Sequence, residues 1–220
     1  MPTIYIIGDS LAATKLEEKK PETGWGECLN AFIPEVYTIE NLAVNGRSTK
    51  SFIDENRLDA IDQKIQKNDL LLIQFGHNDQ KKEDPLRYTD PYSTYIENLQ
   101  VMIALAQKHQ AKPILITPIS RRIFVYDNVL DGETLGDYPM MMKHLAQTHK
   151  IPLIDIFQTS QAIVSSLGPE GSKRLFLHLN PGEHPNYPDG VSDNTHLSPE
   201  GAMLFASLIA LELKPYLNIL

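Results

Sequence analysis

Four short polar blocks in this chain carry side chains suited to acyl transfer: Gly8-Asp9-Ser10, Asn45-Gly46, Gly76-His77-Asn78-Asp79 and Asp193-Asn194-Thr195-His196. Ser10 is a candidate nucleophile, although a serine hydroxyl is unreactive at neutral pH unless a base takes its proton. His196 is the candidate base, with Nε2 accepting that proton and returning it to the leaving alcohol. Asp193, three residues earlier, can hold Nδ1–H and fix the tautomer. The tetrahedral oxygen of such a reaction needs preorganised donors. Gly46 offers a backbone N–H that no side chain screens, Asn78 a side-chain amide, and Ser10 its own N–H. His77 follows the preceding apolar run too closely to share a face with Asn78, and reads as a wall or support of the site. Asp79 reads as a cap that ties the turn down. Each block alone has a plainer reading: a helix cap, a tight turn, a polar loop, a solvated Asp–His pair. Their joint occurrence carries the argument.

The elements between the blocks alternate. Ile4–Ile7 is a short apolar run ended by glycine, as expected of a strand buried on both faces. Gly24–Phe32 reads as a helix, Val36–Val44 as a second strand and Asp69–Phe75 as a third. Tyr92, Tyr95, Ile96, Leu99, Met102, Ile103 and Ala106 recur at three- and four-residue steps, the mark of an amphipathic helix. Ile114–Thr117 is a fourth strand, Tyr138–Lys150 a helix, Pro152–Ile156 a fifth strand, and a further helix runs to about Leu167. Ser198 caps a final helix with Pro199 in its first position. This order predicts a doubly wound α/β fold: a three-layer α/β/α sandwich around a parallel five-stranded sheet, in one domain spanning residues 1–220. Ligands bind such sheets beyond the carboxyl ends of the strands. Ser10, Gly46 and Asn78 each fall just past a different strand, and the loop feeding the last helix, with Asp193 and His196, can reach the same rim. Lys81–Pro91, Arg121–Gly136 and Asn180–Ser192 are the long irregular stretches, which in a compact domain are often functional.

The 220 residues are 42% hydrophobic and 22% charged, an ordinary globular composition long enough to bury a full core. A net charge of −8 without a Lys/Arg stripe argues against a nucleic-acid partner. The single cysteine, Cys28, excludes an intrachain disulfide and a thiolate metal cluster, and reads as a small core residue. His178 and His184 share a loop with acids, but no metal-ligand spacing surrounds them. No apolar run approaches bilayer length, so no membrane partner is expected. The N-terminus shows no basic segment, apolar stretch or cleavage site, so a cytoplasmic location is the expectation.

These blocks resemble those of the SGNH, or GDSL-like, hydrolases along the whole chain. Within them, the likeness is to rhamnogalacturonan acetylesterases: Gly8-Asp9-Ser10, Asn45-Gly46-Arg47-Ser48 with Ser51-Phe52, Phe75-Gly76-His77-Asn78-Asp79, Asp193-Asn194-Thr195-His196-Leu197-Ser198, and Leu135-Gly136-Asp137-Tyr138-Pro139 before a helix. The resemblance implies a flavodoxin-like α/β/α fold and hydrolysis of acetyl esters on pectic polysaccharide. It also implies Ser10 as nucleophile, Gly46, Asn78 and the Ser10 amide as the oxyanion hole, and Asp193 with His196 as the activating pair. No metal or organic cofactor is expected, and the oligomeric state stays open. Secreted fungal members carry a leader and disulfides, so a chain with neither suits an intracellular enzyme working on imported oligosaccharides. Gly-x-Ser-x-Gly is absent around Ser10, so the nucleophile elbow of the α/β-hydrolases does not apply.

A galacturonate-containing substrate brings carboxylates, for which Arg47, Arg121 and Arg122 are the candidate cations, surface arginines being the plainer reading of the last two. Other readings stay open. An acyl-lipid esterase or thioesterase, or an acetylxylan esterase, would use the same residues on a different substrate. A phosphate-binding module could use the Gly8–Thr14 turn, but would leave Asn78, Asp193 and His196 without a role.

Overall fold

The computed structural model describes residues 1–126 and 128–217. Its elements in chain order are β1 (Thr3–Gly8), α1 (Trp25–Cys28), β2 (Thr38–Asn41), α2 (Thr49–Asp54), α3 (Asp59–Asp62), β3 (Leu70–Gln74), α4 (Thr94–Lys108), β4 (Lys112–Ile116), β5 (Phe124–Val125), β6 (Val129–Leu130), α5 (Tyr138–His149), β7 (Leu153–Ile154), α6 (Ile156–Gly171), β8 (Phe176–Leu179), β9 (Val191–Leu197) and α7 (Pro199–Leu213). Five strands form a parallel sheet in the order β2-β1-β3-β4-β7. This is the flavodoxin-like winding, whose switch point falls between the first and third strands.

Strand alternation divides the core in two. Ile4, Ile6, Leu70, Leu72, Ile114 and Ile116 face α1, α6 and α7, where Trp25, Val164, Phe205 and Ile209 complete one cluster. Tyr5, Ile7, Leu71, Ile73 and Leu115 face the other way, onto Phe52, Tyr95, Leu99, Met102 and Met142 of α2, α4 and α5. With both faces covered, the apolar runs of β1, β3 and β4 have no polar side to show, which is why they read as continuous.

Several elements differ from the sequence reading. The Gly24–Phe32 helix is one α turn followed by a 3-10 turn at Leu29–Ala31. Gly26 lets this segment touch the turn after β1, since a Cβ there would stand 2.4 Å from the Ala12 carbonyl oxygen. The second strand is shorter than Val36–Val44. Val36 is exposed, and past Asn41 the segment stays tied to β1 through the Leu42 and Val44 N–H groups, which donate to the Ile6 and Gly8 carbonyls at 2.8 and 3.0 Å, while the Asn41 side chain takes the Ala43 N–H. Helix α6 loses helical geometry at Gly168, with φ +67°, ahead of Pro169, so its regular part stops at Leu167. Cys28 is half-buried, packed against the first core cluster.

The largest correction concerns the C-terminal block. Asp193 and His196 lie on β9, paired antiparallel with β8 in a separate two-stranded sheet, rather than in a loop. Their polarity hid the strand. The Arg121–Gly136 stretch likewise contains the small β5–β6 hairpin. Among the described residues, no helix is long and apolar enough to cross a membrane.

Candidate active site

Ser10 sits in a tight turn at the end of β1, where the Ala12 and Ala13 N–H groups donate to the Asp9 carbonyl at 3.2 and 3.1 Å. The turn is tied from within: Asp9 is fully buried, and its Oδ1 accepts from the Leu11 N–H at 2.9 Å. Burial alone would push the Asp9 carboxyl up, but His77 beside it and the Leu11 N–H overcome this and hold it below its ordinary value. Ser10 is therefore not a helix cap. Its hydroxyl stands 3.0 Å from His196 Nε2.

His196 Nδ1 lies 2.7 Å from Asp193 Oδ2, an acceptor-only partner that puts the ring proton on Nδ1 and leaves Nε2 free to accept. The three-residue spacing works on a strand because Asp193 bends it: Oδ1 accepts from the N–H groups of Thr195 at 2.7 Å and His196 at 2.9 Å. This Asx turn swings the imidazole back over its own carboxylate. Burial raises the Asp193 carboxyl, but the hydrogen bonds from the His196 ring and the two N–H groups outweigh it and hold it well below the usual carboxylate range.

The donors lie on the same rim. Gly46 has φ +76°, a left-handed backbone that opens its N–H side without a Cβ. Among the described residues, neither the Gly46 nor the Ser10 N–H finds an acceptor in the protein. Asn78 is buried, and its Nδ2 donates to the Arg47 carbonyl at 3.1 Å, while its Oδ1 accepts from Arg87 Nη1 at 3.3 Å. With the oxygen held by a guanidinium and one amide proton by a carbonyl, the second amide proton is the one left over. Arg87 escaped the sequence reading. Its only signal there is its place in the irregular stretch after Asn78, where Asp84 Oδ2 fixes its Nε at 2.5 Å.

Asp79 anchors the Asn78 loop from below. Its Oδ1 accepts from the Thr49 N–H at 3.0 Å, the Thr49 hydroxyl at 2.5 Å and the Thr89 hydroxyl at 3.0 Å. Complete burial pushes its carboxyl up to about 7 despite those bonds. His77 is buried as well. Its Nδ1 lies 3.3 Å from Asp9 Oδ2 without hydrogen-bond alignment, and neither ring nitrogen has an aligned partner among the described residues.

The three arginines occupy different settings. Arg47 points its Nε at Glu55 Oε2, 3.0 Å away, and its Nη1 at the Asn45 carbonyl. Arg121 donates from Nη1 to the Thr195 hydroxyl at 3.0 Å, next to His196. Arg122 is buried, and its guanidinium reaches Ser172 Oγ at 3.0 Å, Asn194 Oδ1 at 2.6 Å and the Pro169 carbonyl. It thus clamps β9, beside Asp193, to the turn that ends α6. Among the described residues, no three His, Cys, Asp or Glu side chains converge as a metal site.

The sequence matches the GDSL-like lipase/acylhydrolase family over residues 4–209. The chain belongs to that family. Membership makes it a carboxylic ester hydrolase. Among its relatives, it is 42% identical over 207 residues to the rhamnogalacturonan acetylesterase RhgT of Bacillus subtilis (strain 168), covering 94% of this chain and 87% of that protein. It is 37% identical over 211 residues to the probable rhamnogalacturonan acetylesterase YesY of the same organism, covering 96% and 92%. The crystal structure of YxiM from Bacillus subtilis, 27% identical, superposes with a TM-score of 0.79 over 97% of this chain and 56% of that one. The acetylxylan esterase Axe2 of Geobacillus stearothermophilus, at 18% identity and a TM-score of 0.66 over 96% and 94%, shares the fold of the family.

Proposed function

We propose that this GDSL-family hydrolase removes O-acetyl groups from pectic oligosaccharides of the rhamnogalacturonan type. The Ser10–His196–Asp193 chain, with contacts of 3.0 and 2.7 Å, carries the reading. Ser10 Oγ attacks the acetyl carbonyl carbon while His196 Nε2 takes its proton, and Asp193 balances the imidazolium. The carbonyl oxygen becomes an oxyanion held by the Ser10 and Gly46 N–H groups and the Asn78 amide. Collapse expels the sugar alkoxide, which takes the proton from His196. Water then repeats the cycle on the acetyl-enzyme and releases acetate.

The names of RhgT and YesY support the pectic substrate. The lining favours a small acyl group in a polar setting. The groups at the rim include Asn45, Asn78, Arg87 and Arg121, whereas a cleft of about 480 Å³ that mixes Ile163, Leu208 and Leu211 with Asp155, Thr159 and Glu212 lies elsewhere, between α6 and α7. An acyl-lipid enzyme needs its apolar channel at the nucleophile. Arg47 and Arg121 supply cations for galacturonate carboxylates on the two sides of the site, while His77 and Arg122 support it from within.

Acetate release from acetylated rhamnogalacturonan oligosaccharides, acetylated xylan and p-nitrophenyl esters of graded chain length tests this. The pectic substrate should be turned over fastest and acetate preferred to octanoate. The Ser10→Ala protein should be inactive, and Arg121→Gln should raise KM on the acidic oligosaccharide while sparing p-nitrophenyl acetate. Faster turnover of xylan, or of octanoate, would replace the substrate assignment. Undiminished hydrolysis by Ser10→Ala would remove the mechanism.

A further inference from the structure

Behind the nucleophile, an ammonium group is sealed inside the protein. The Lys15 side chain has no solvent exposure, and its Nζ donates to the Ser10 carbonyl and to Asn45 Oδ1 at 2.8 Å, and pairs with Glu22 Oε1 at 2.8 Å. Three protons meet three acceptors, so the position of each acceptor is defined. Burying an ammonium costs several kcal/mol before pairing, and an apolar residue of similar size often serves stability as well or better. The fold nonetheless places the charge here, and the three acceptors suggest why.

They belong to three separate segments. The Ser10 carbonyl is in the turn that also presents the free Ser10 N–H. Asn45 immediately precedes Gly46, whose left-handed backbone has no side chain of its own to anchor it. Glu22 Oε1 stands 3.9 Å from His196 Nε2, on the opposite side of the ring from Asp193. Glu22 is itself held by its N–H on the Lys19 carbonyl at 3.0 Å, and its neighbour Thr23 bonds the Leu197 carbonyl at 3.1 Å. One ammonium therefore joins the two backbone donors to the wall that faces the base.

We infer that Lys15 and Glu22 are positioning residues for acyl transfer. Lys15 sets the spacing between the Ser10 and Gly46 N–H groups, and Glu22 neutralises it while confining the imidazole to the Ser10 side. The inference rests on Ser10 as nucleophile. It separates this pair from a mere structural plug, because a plug matters only through stability.

Four variants decide it: Lys15→Met, Glu22→Gln, the double Lys15→Met/Glu22→Gln, and Asn45→Ala, which removes one acceptor at an exposed position while leaving the ion pair intact. Thermal midpoints, kcat and KM on p-nitrophenyl acetate, and inhibition by methylboronic acid are measured. Methylboronic acid is the probe because its tetrahedral anion occupies the donor pocket. Lys15→Met leaves Glu22 unpaired and lowers the midpoint, and the double variant regains most of it. In both, kcat stays down by about 100-fold, the scale of one lost oxyanion donor, with KM within about threefold and boronate affinity falling in step. Glu22→Gln lowers kcat less than Lys15→Met, since its amide oxygen still accepts from Lys15. Asn45→Ala loses about tenfold in kcat while its midpoint falls less than that of Lys15→Met, because the ion pair with Glu22 remains. The inference is overturned if the double variant recovers kcat and boronate affinity along with its midpoint, or if Asn45→Ala turns over at the native rate. Activity that survives Ser10→Ala instead marks failure of the underlying serine mechanism.

Discussion

Replacing Asp193 by asparagine tests the charge relationship at the centre of the site with almost no change in shape. The carboxylate accepts three hydrogen bonds: from His196 Nδ1 at 2.7 Å through Oδ2, and from the Thr195 and His196 N–H groups at 2.7 and 2.9 Å through Oδ1. An asparagine can keep its oxygen on the two backbone donors, which puts its NH2 group against Nδ1. Two donors cannot face each other, so the imidazole proton moves to Nε2, where it blocks acceptance of the Ser10 proton. The alternative, rotating the amide, leaves two N–H groups without an acceptor at about 1–3 kcal/mol each. The tautomer change is the cheaper outcome. It should cost about 10⁴-fold in kcat, the size this substitution has in the chymotrypsin triad, or about 5 kcal/mol of barrier. Stability should respond with a definite sign. The folded protein holds the Asp193 carboxyl below its unfolded value, so the charged form stabilises the fold at neutral pH and that contribution fades as pH falls through the carboxylate range. The midpoint gap between native and Asp193→Asn protein should be full near pH 7, begin to shrink as pH falls towards the unfolded value near 4, and narrow progressively below it. Initial rates on p-nitrophenyl acetate and melting curves across this range check both. A variant that keeps more than about a tenth of native kcat would show that Asp193 does not set the tautomer.

Asn78→Ala should lower kcat by about 10²–10³-fold through loss of one oxyanion donor, with KM changed less than about threefold. Steady-state kinetics on p-nitrophenyl acetate measure it, and a loss under fivefold would take Asn78 out of the donor set. Asp79→Asn should show the opposite pH sign to Asp193. Burial raises the Asp79 carboxyl to about 7, so its share of stability is complete below the unfolded value and disappears as pH rises through 7. Lifting a carboxyl that far from its ordinary range corresponds to about 4 kcal/mol, and an asparagine, which keeps an oxygen for Thr49, avoids it. Urea unfolding at pH 5 and pH 8 should show the variant gaining on the native protein at the higher pH. A gap that does not move with pH would contradict the buried, raised carboxyl.

Legibility in the sequence followed burial. β1, β3 and β4 lie between two helical layers and so print unbroken apolar runs, and α4, with Tyr95, Leu99, Met102 and Ile103 buried on one side, prints its period. Ser198 and Pro199 announce α7, and the Ser198 hydroxyl accepts from the Gly201 N–H at 3.1 Å. β9 was hidden because its residues are polar and only half-buried and its partner lies outside the main sheet. Short α2 and α3 offered too few turns to establish a period. At the site, the motif residues announced themselves by type, but their supports did not. Arg122 reads as a surface arginine until Ser172 and Asn194, far away in sequence, are seen to enclose it. Nothing in the sequence singles out Lys15 or Glu22 from the charged residues around them, and only packing reveals that the ammonium has no solvent exposure.

The division between sheet and hairpin also sets an order in time. All five strands of the parallel sheet are present once residue 154 has been made, while the imidazole sits at residue 196 on a hairpin added afterwards. A domain folds as a unit, and Phe205 and Ile209 of α7 complete the core on one face of the sheet. The hydroxyl at residue 10 therefore gains its setting only when the segment that closes the core has been made. Its proposed proton acceptor lies on β9, just ahead of the helix that closes that core, so esterolytic power and closure of the core arrive together.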